Sequence, residues 1–308
     1  MSIRVIQHSS DTRLSWLESD PSTAGCGSCM DADTLPFKIT FAFQPIVNIE
    51  TGTIHSYEAL VRGVDGEGAL SILGRVDDSN RYRFDQTCRV TALELSKRLG
   101  IETRININFL PNAVYEPRRC IATTVSAAKR LGIALNRLVF EVTEGDRVTD
   151  PVHLKHIMTE YQQMGMSTAI DDFGAGYAGL NLLAEFQPDE LKLDIALVRG
   201  IDCSRARQAI VRGVIRTCAD LGIAIVAEGV ETYEEFAWLA SSGVALFQGY
   251  YFAKPLLEGL PKVPEERLRL TGLDAFSNRA SRMHLLGTQI PSTSGLSGRV
   301  CPDATCAW

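Results

Sequence analysis

Residues 40–63 read TFAFQPIVNIETGTIHSYEALVRG. Two β-rich runs, 40–48 and 56–63, flank the short join IETGTIH with its Thr-Gly turn. A parallel pair needs a crossover of a dozen or more residues, so this join predicts a hairpin with one antiparallel strand. Working outward, six further strand-like runs follow: 104–109 (RININF), 137–143 (RLVFEVT), 167–172 (STAIDD), 190–195 (ELKLDI), 223–229 (IAIVAEG) and 246–252 (LFQGYYF). Helix-compatible stretches lie between most of them, at 83–99, 113–131, 151–164, 203–221 and 232–241. Several end at a Gly of the kind expected beyond a helix. Eight strands alternating with helices predict an α/β fold, a (β/α)8 TIM-like barrel with an antiparallel first strand. A doubly wound open sheet is the competitor. No GxGxxG fingerprint follows the first strands, which counts against it.

Composition sets the outer limits. The chain has 308 residues, 45% hydrophobic and 22% charged, as in an ordinary soluble globular protein. We expect an irregular N-terminal extension over 1–36, a barrel over 37–262, and a C-terminal helix (265–276) with a loose tail over 263–308. A formal net charge of −6 disfavours binding to long nucleic acid. Attraction for an anionic ligand must then be local. No apolar run approaches the roughly 18 residues needed to span a bilayer, and the N-terminus lacks a signal-type apolar segment. The expected setting is cytoplasmic, with no membrane partner. Most of the eight cysteines should be reduced and packed as small hydrophobes. Cys26, Cys29, Cys301 and Cys306 together allow a four-cysteine zinc site, and Cys26–Cys29 a redox pair; incidental thiols are the plainer reading.

The strands break their own rule. Parallel barrel strands should be nearly continuous apolar runs. Here Glu58, Asn108, Glu141, Asp171, Asp172, Lys192, Asp194, Glu228 and Gln248 interrupt or end them. Residues two apart share a strand face, so Glu58, Leu60 and Arg62 align, as do Lys192 and Asp194. Barrel strand ends converge on one mouth, where active sites of this fold lie. Six carboxylates against Arg62 and Lys192 leave four excess negative charges there. Unpaired charges in a confined site cost several kcal/mol each (roughly), and two divalent cations would neutralise them. Oxygen ligands with one Asn suit Mg²⁺ or Mn²⁺ better than Zn²⁺. Paired metals commonly serve in-line phosphoryl displacement. Lys192 could hold or deprotonate the attacking water, and Arg62 could bind a phosphate oxygen.

Each residue alone has a blander reading. Glu58 could pair with Arg62, Asp172 could cap a turn or helix, and Lys192 could pair with Asp194. Taken together, those readings leave a negative cluster without counter-charge.

The ordered motifs FQPIVNIETGTIHSYEALVRG (43–63), NFLPNAV (108–114), FEVTEGD (140–146), IDDFGAGYAGL (170–180), LKLD (191–194), VAEGVET (226–232) and FQGYYFAKP (247–255) resemble the EAL-domain family. The resemblance covers about residues 38–256. It implies a cyclic di-GMP phosphodiesterase that opens its substrate to linear pGpG. It further implies Glu58, Asn108, Glu141 and Asp171 as metal ligands, with Asp172 and Glu228 on a second metal that shares Asp171. Lys192 resembles the lysine that contacts the attacking water, Gln248 a water-positioning residue, and Glu144 a brace for the DDFG loop. Gln44, Leu60, Arg62, Asp194, Glu231 and Tyr250 would line the dinucleotide. At 108–111 the chain has Asn-Phe-Leu-Pro where many members have Asn-Leu-Ser-Pro. Asn106, two residues earlier, is the reserve ligand. A homodimer is also implied. Two other functions compete: a non-catalytic cyclic di-GMP receptor acting through a protein partner, and a general two-metal nuclease or phosphatase. Receptor-type members typically lack a metal or loop residue, and none is missing here.

Overall fold

The computed structural model describes residues 35–143, 151–176 and 179–268. The strands are β1 (Ile39–Asn48), β2 (Thr53–Gly63), β3 (Arg104–Asn108), β4 (Leu138–Thr143), β5 (Ser167–Phe173), β6 (Glu190–Leu193), β7 (Ala224–Ala227), β8 (Leu246–Phe247) and β9 (Leu256–Leu257). Strands β2 to β8 run in sequence order and in parallel, and β1 closes the ring by pairing with both β2 and β8. Both of those pairings are antiparallel. The barrel and its antiparallel first strand therefore stand as the short 49–55 join requires. The unexpected β9 shares the outer edge of β1 with β8, through Ala42↔Leu257 and Phe43↔Leu256.

Helices α1 (Ala69–Leu73), α2 (Arg81–Arg98), α3 (Pro117–Leu131), α4 (Pro151–Gln163), α5 (Gly179–Glu185), α6 (Ile195–Val198), α7 (Arg205–Leu221) and α8 (Tyr233–Ser241) fill the connections. Local chemistry sets their ends. Pro117 stands at the start of α3, where a missing N–H costs nothing. Ser204 caps α7 by accepting from Arg207 N, and Thr232 and Glu235 form a capping box on α8. One continuous apolar core lies between strands and helices, with Phe140, Ile170, Leu191, Ile215 and Phe247 among its members. A small second cluster, Ile46, Val226 and Leu246, is separate from it.

Three expected elements are corrected. The sixth strand ends at Leu193, because Asp194 turns out to cap α6: its Oδ1 accepts from Ala196 N at 2.8 Å. The eighth ends at Phe247. Beyond it the chain bonds to the 229–231 loop instead, with Val230 N donating to Gln248 O and Tyr251 N to Val230 O. A Cβ at Gly249 would meet the Val230 carbonyl oxygen at 2.1 Å, so only glycine allows that approach. The helix expected from 113 begins at Pro117, after a single 3-10 turn at Pro111–Ala113. Of the helix expected at 265–276, a 3-10 turn at Glu265–Arg267 is seen; residues from 269 lie outside the described residues, as do the four cysteines 26, 29, 301 and 306. Among the described residues Cys88, Cys120, Cys203 and Cys218 are free thiols, and no helix is long and apolar enough to cross a membrane.

Candidate active site

The C-terminal ends of the parallel strands, with β1 beside them, surround an open cavity of about 430 Å³. Its walls include Gln44 from β1, Glu58 and Leu60 from β2, and Asn108 from β3. Asp171 and Asp172 come from β5, Lys192 from β6, and Glu228, Glu231, Gln248 and Tyr250 from the segments after β7 and β8. Lys192 is fully buried at its base. Its Nζ lies 2.7 Å from Glu228 Oε1, 3.0 Å from Glu141 Oε2, 3.0 Å from Asp171 Oδ1 and 3.3 Å from Glu58 Oε2. It does not pair with Asp194, so the self-satisfied pairing is ruled out. Amide groups complete the lower shell. Asn106 Nδ2 donates to Glu141 Oε1 (2.8 Å), Asn108 Nδ2 to Glu58 Oε1 (3.0 Å), and Gln248 Nε2 to Glu58 Oε2 (2.7 Å).

Adjacent residues on a regular strand point to opposite faces, yet Asp171 and Asp172 both line the cavity. The cause is a break in register. Ile170 faces Leu191 and Phe173 faces Leu193, so β5 carries one extra residue at this point. Asp172 absorbs it with φ of 54°, a left-handed conformation that costs a non-glycine residue roughly 1–2 kcal/mol. Its N–H also returns to Asp171 Oδ1 at 2.9 Å.

Two triads of carboxylates result, Glu58/Glu141/Asp171 and Asp171/Asp172/Glu228, each able to present oxygens within 4.8 Å of one another. They share Asp171. Five carboxylates around one ammonium leave a formal excess of four negative charges, and that crowding works against ionising all five. Burial, joined by repulsion from Asp171 and Asp194, pushes Asp172 up to about 6. Burial also raises Glu141 and Glu228 well above the carboxylate range. Burial works against the charge on Lys192, but Asp171, Glu141, Glu228 and Glu58 hold its ammonium well above the usual value. An all-oxygen donor set with this charge excess, and with an Asn108 whose NH₂ is already engaged, fits hard divalent cations such as Mg²⁺ or Mn²⁺.

The remaining candidates are placed differently. Arg62 is half-buried outside the lining, and its guanidinium donates to Val61 O at 2.7 Å rather than to Glu58. Asp194 is held at the α6 N-terminus and is not part of the lining. Asn106 is buried against Glu141, which leaves Asn108 as the asparagine at the cavity surface. Glu231 pairs with Arg199 at 2.7 Å, and Lys254 Nζ lies 5.2 Å from the Tyr250 ring. Glu144 lies outside the described residues. The sequence reading missed Ile195, which lines the wall because the Asp194 cap turns the chain there; nothing in the strand pattern signals it.

The barrel mouth gathers buried carboxylates around one lysine, with two carboxylate groups that could each hold a metal ion. The family model described as "EAL domain" matches residues 37–255, and the chain belongs to that family. Among curated relatives, the blue light- and temperature-regulated antirepressor BluF of Escherichia coli K12 is 32% identical over 82% of this chain and 63% of its own length. The cyclic di-GMP phosphodiesterase NbdA of Pseudomonas aeruginosa is 31% identical over 76% of this chain and 30% of its own. The chain thus spans less than two thirds of the length of these relatives. Among solved structures, a standalone versatile EAL protein from Vibrio cholerae O395 in its c-di-GMP-bound form is 52% identical, with a TM-score of 0.74 over 76% of this chain and 98% of that one. The manganese/cy-diGMP complex of Klebsiella pneumoniae BlrP1 is 38% identical, with a TM-score of 0.69 over 75% of this chain and 61% of that one.

Proposed function

We propose that the protein is a cyclic di-GMP phosphodiesterase that hydrolyses cyclic di-GMP to linear pGpG with the help of two divalent cations, Mg²⁺ or Mn²⁺. One observation carries this reading: the fully buried Lys192 ammonium lies among four carboxylates, and two carboxylate triads share Asp171. The related complexes with cyclic di-GMP and manganese support both the substrate and the metal type. In this reading Glu58, Asn108, Glu141 and Asp171 hold one cation, and Asp171, Asp172 and Glu228 hold the other. Bound together, the cations would supply Lewis-acid stabilisation of the developing phosphoryl charge and activate water for in-line attack.

The chain's own groups do the rest. Lys192 keeps its proton and directs Nζ at the attacking oxygen, whose charge it stabilises. Gln248 orients the same water and fixes Glu58 through their 2.7 Å hydrogen bond. The half-exposed Tyr250 ring offers a stacking face for a guanine. Gln44, Leu60 and Glu231 form the adjacent wall, and Arg62 would serve a phosphate oxygen only after its guanidinium leaves Val61 O and swings in from the strand end beyond it. Asp194 acts through α6 by setting Ile195 in the wall. Glu144, as brace of the DDFG loop, cytoplasmic location and homodimer formation belong to the same proposal.

The test is incubation with cyclic di-GMP in Mn²⁺ or Mg²⁺ and chromatography of the product. We expect linear pGpG, and its loss in Glu58→Ala and Lys192→Ala. The second reading, a receptor that controls a partner, is favoured by the antirepressor role in the name of one relative. Wild-type protein that binds cyclic di-GMP but never cleaves it in Mn²⁺ would establish that reading instead. Light scattering on purified protein measures its oligomeric state.

A further inference from the structure

Arg89 of α2 is the largest fully buried side chain among the described residues. Its guanidinium pairs with Asp85 one turn earlier, donates to Tyr161 Oη at 3.3 Å, and lies 5.7 Å from the Phe109 ring and 5.5 Å from the Phe140 ring. Those two rings have notable neighbours. Phe109 follows Asn108, and Phe140 precedes Glu141. Asp85 in turn accepts from Leu110 N at 2.9 Å, two residues beyond Asn108. Asn108 and Glu141 face each other across β3 and β4, and Phe109 N donates to Glu141 O at 3.1 Å.

A buried ion pair is weak evidence for stability, since apolar residues of similar volume are often as stable or more so. This one does something an apolar pair cannot. It places a fixed acceptor under the backbone N–H just past Asn108, and a planar cation against the rings beside two ligand candidates. Among the described residues, Asn108 is otherwise held by its pairing in the β-ladder and its contact with Glu58. Once β3 ends, the N–H of Leu110 has no strand partner, and Asp85 takes that place.

We propose that Asp85 and Arg89 are positioning residues: Asp85 pins the 108–110 segment, Arg89 holds Asp85 and the Phe109 and Phe140 rings, and together they aim Asn108 and Glu141 at one cation. The inference rests on the proposed cation site and deepens it. It says that the site's geometry is set from outside the barrel, by α2.

Two double variants separate positioning from mere stability. Asp85→Leu/Arg89→Met removes both charges and the acceptor. Asp85→Asn/Arg89→Met removes both charges but keeps an oxygen for Leu110 N–H. Both avoid an unpaired buried charge, so both should fold; melting curves check this. The readout is Mn²⁺ binding by titration calorimetry, with cyclic di-GMP turnover measured beside it. We expect the Leu/Met variant to bind Mn²⁺ at least tenfold more weakly, and the Asn/Met variant to recover part of that loss, the severalfold remainder reflecting the missing Arg89 guanidinium. Tyr161→Phe, which deletes only the hydroxyl bonded to Arg89, should weaken Mn²⁺ binding severalfold. Equal loss in the two double variants, or wild-type Mn²⁺ affinity in the Leu/Met variant, overturns the proposal. If the Leu/Met variant does not fold, unchanged affinity in Tyr161→Phe overturns it. Wild-type protein that binds Mn²⁺ but does not cleave cyclic di-GMP ends the phosphodiesterase reading, while the variants' Mn²⁺ affinities still decide the role of Asp85 and Arg89. Wild-type protein that binds no Mn²⁺ ends both.

Discussion

Replacing Lys192 by Met tests the electrostatic logic of the site most directly. The side chains have similar length, so the change removes a charge with little change in packing. Lys192 is fully buried, and four carboxylates lie 2.7–3.3 Å from its Nζ. Removing one partner of a buried ionic cluster costs about 3–5 kcal/mol. In a domain of this size each kcal/mol corresponds to roughly 2–4 °C, so Lys192→Met should lower the melting temperature by about 6–20 °C without divalent cations. Burial already raises Glu141 and Glu228, and they can meet part of the loss by taking up protons. The deficit should therefore be smaller at pH 6 than at pH 8. Saturating Mn²⁺ should restore much of the lost stability, because it supplies the missing positive charge. Turnover should not return, since the proton and hydrogen-bonding head at Nζ are gone; a loss of about 10²–10⁴ in kcat is expected. Scanning fluorimetry in EDTA and in Mn²⁺, at both pH values, measures the stability terms, and product chromatography measures the rate. A variant that melts with wild type in EDTA at pH 8 would show that the ammonium does not neutralise this cluster.

Other outcomes follow from the same geometry. Glu58→Gln keeps the shape of the side chain but removes a charge from one triad; it should weaken Mn²⁺ binding at least tenfold in calorimetry, and unchanged affinity would remove Glu58 from the ligand set. Asp172 titrates near 6 in the folded chain, above its ordinary value, so the folded form holds its proton more tightly than the unfolded form does. Stability of the cation-free protein should then fall as pH rises from the ordinary carboxylate range through about 6, and Mn²⁺ should offset that fall; a flat melting profile from pH 5 to 8 in EDTA would contradict it. Gly249→Ala forces a methyl group onto the Val230 backbone, with nearest atoms at 2.1–2.7 Å. It should cost about 1–3 kcal/mol in stability and displace Gln248, which urea denaturation and turnover would register.

Much of this architecture is legible without coordinates. The seven-residue join at 49–55 dictates a hairpin, and strand–helix alternation then dictates a barrel with β1 reversed. Polar residues within otherwise apolar strands point to the mouth, and the motifs around Glu58, Asp171 and Glu228 name the family. These are local signals, because side-chain alternation and loop length are properties of short segments. Asp194 shows their limit. Strand periodicity aligns it with Lys192, but the strand ends one residue earlier and the carboxylate becomes a helix cap.

What the amino-acid order determined alone is the set of elements, their sequence around the ring, and the chemical types gathered at one end. The tertiary structure decided which of those groups meet. The extra residue in β5 turns Asp171 and Asp172 into the same cavity, Lys192 bonds four carboxylates from four separate segments, and Arg62 stays outside. Asp85 and Arg89, four apart on a helix, read in one dimension as an ordinary surface pair; only packing under Phe109 and Phe140 makes them buried and places them beneath Asn108. The physical reason is that register shifts and burial depend on contacts between segments far apart in the chain, and no local pattern encodes those.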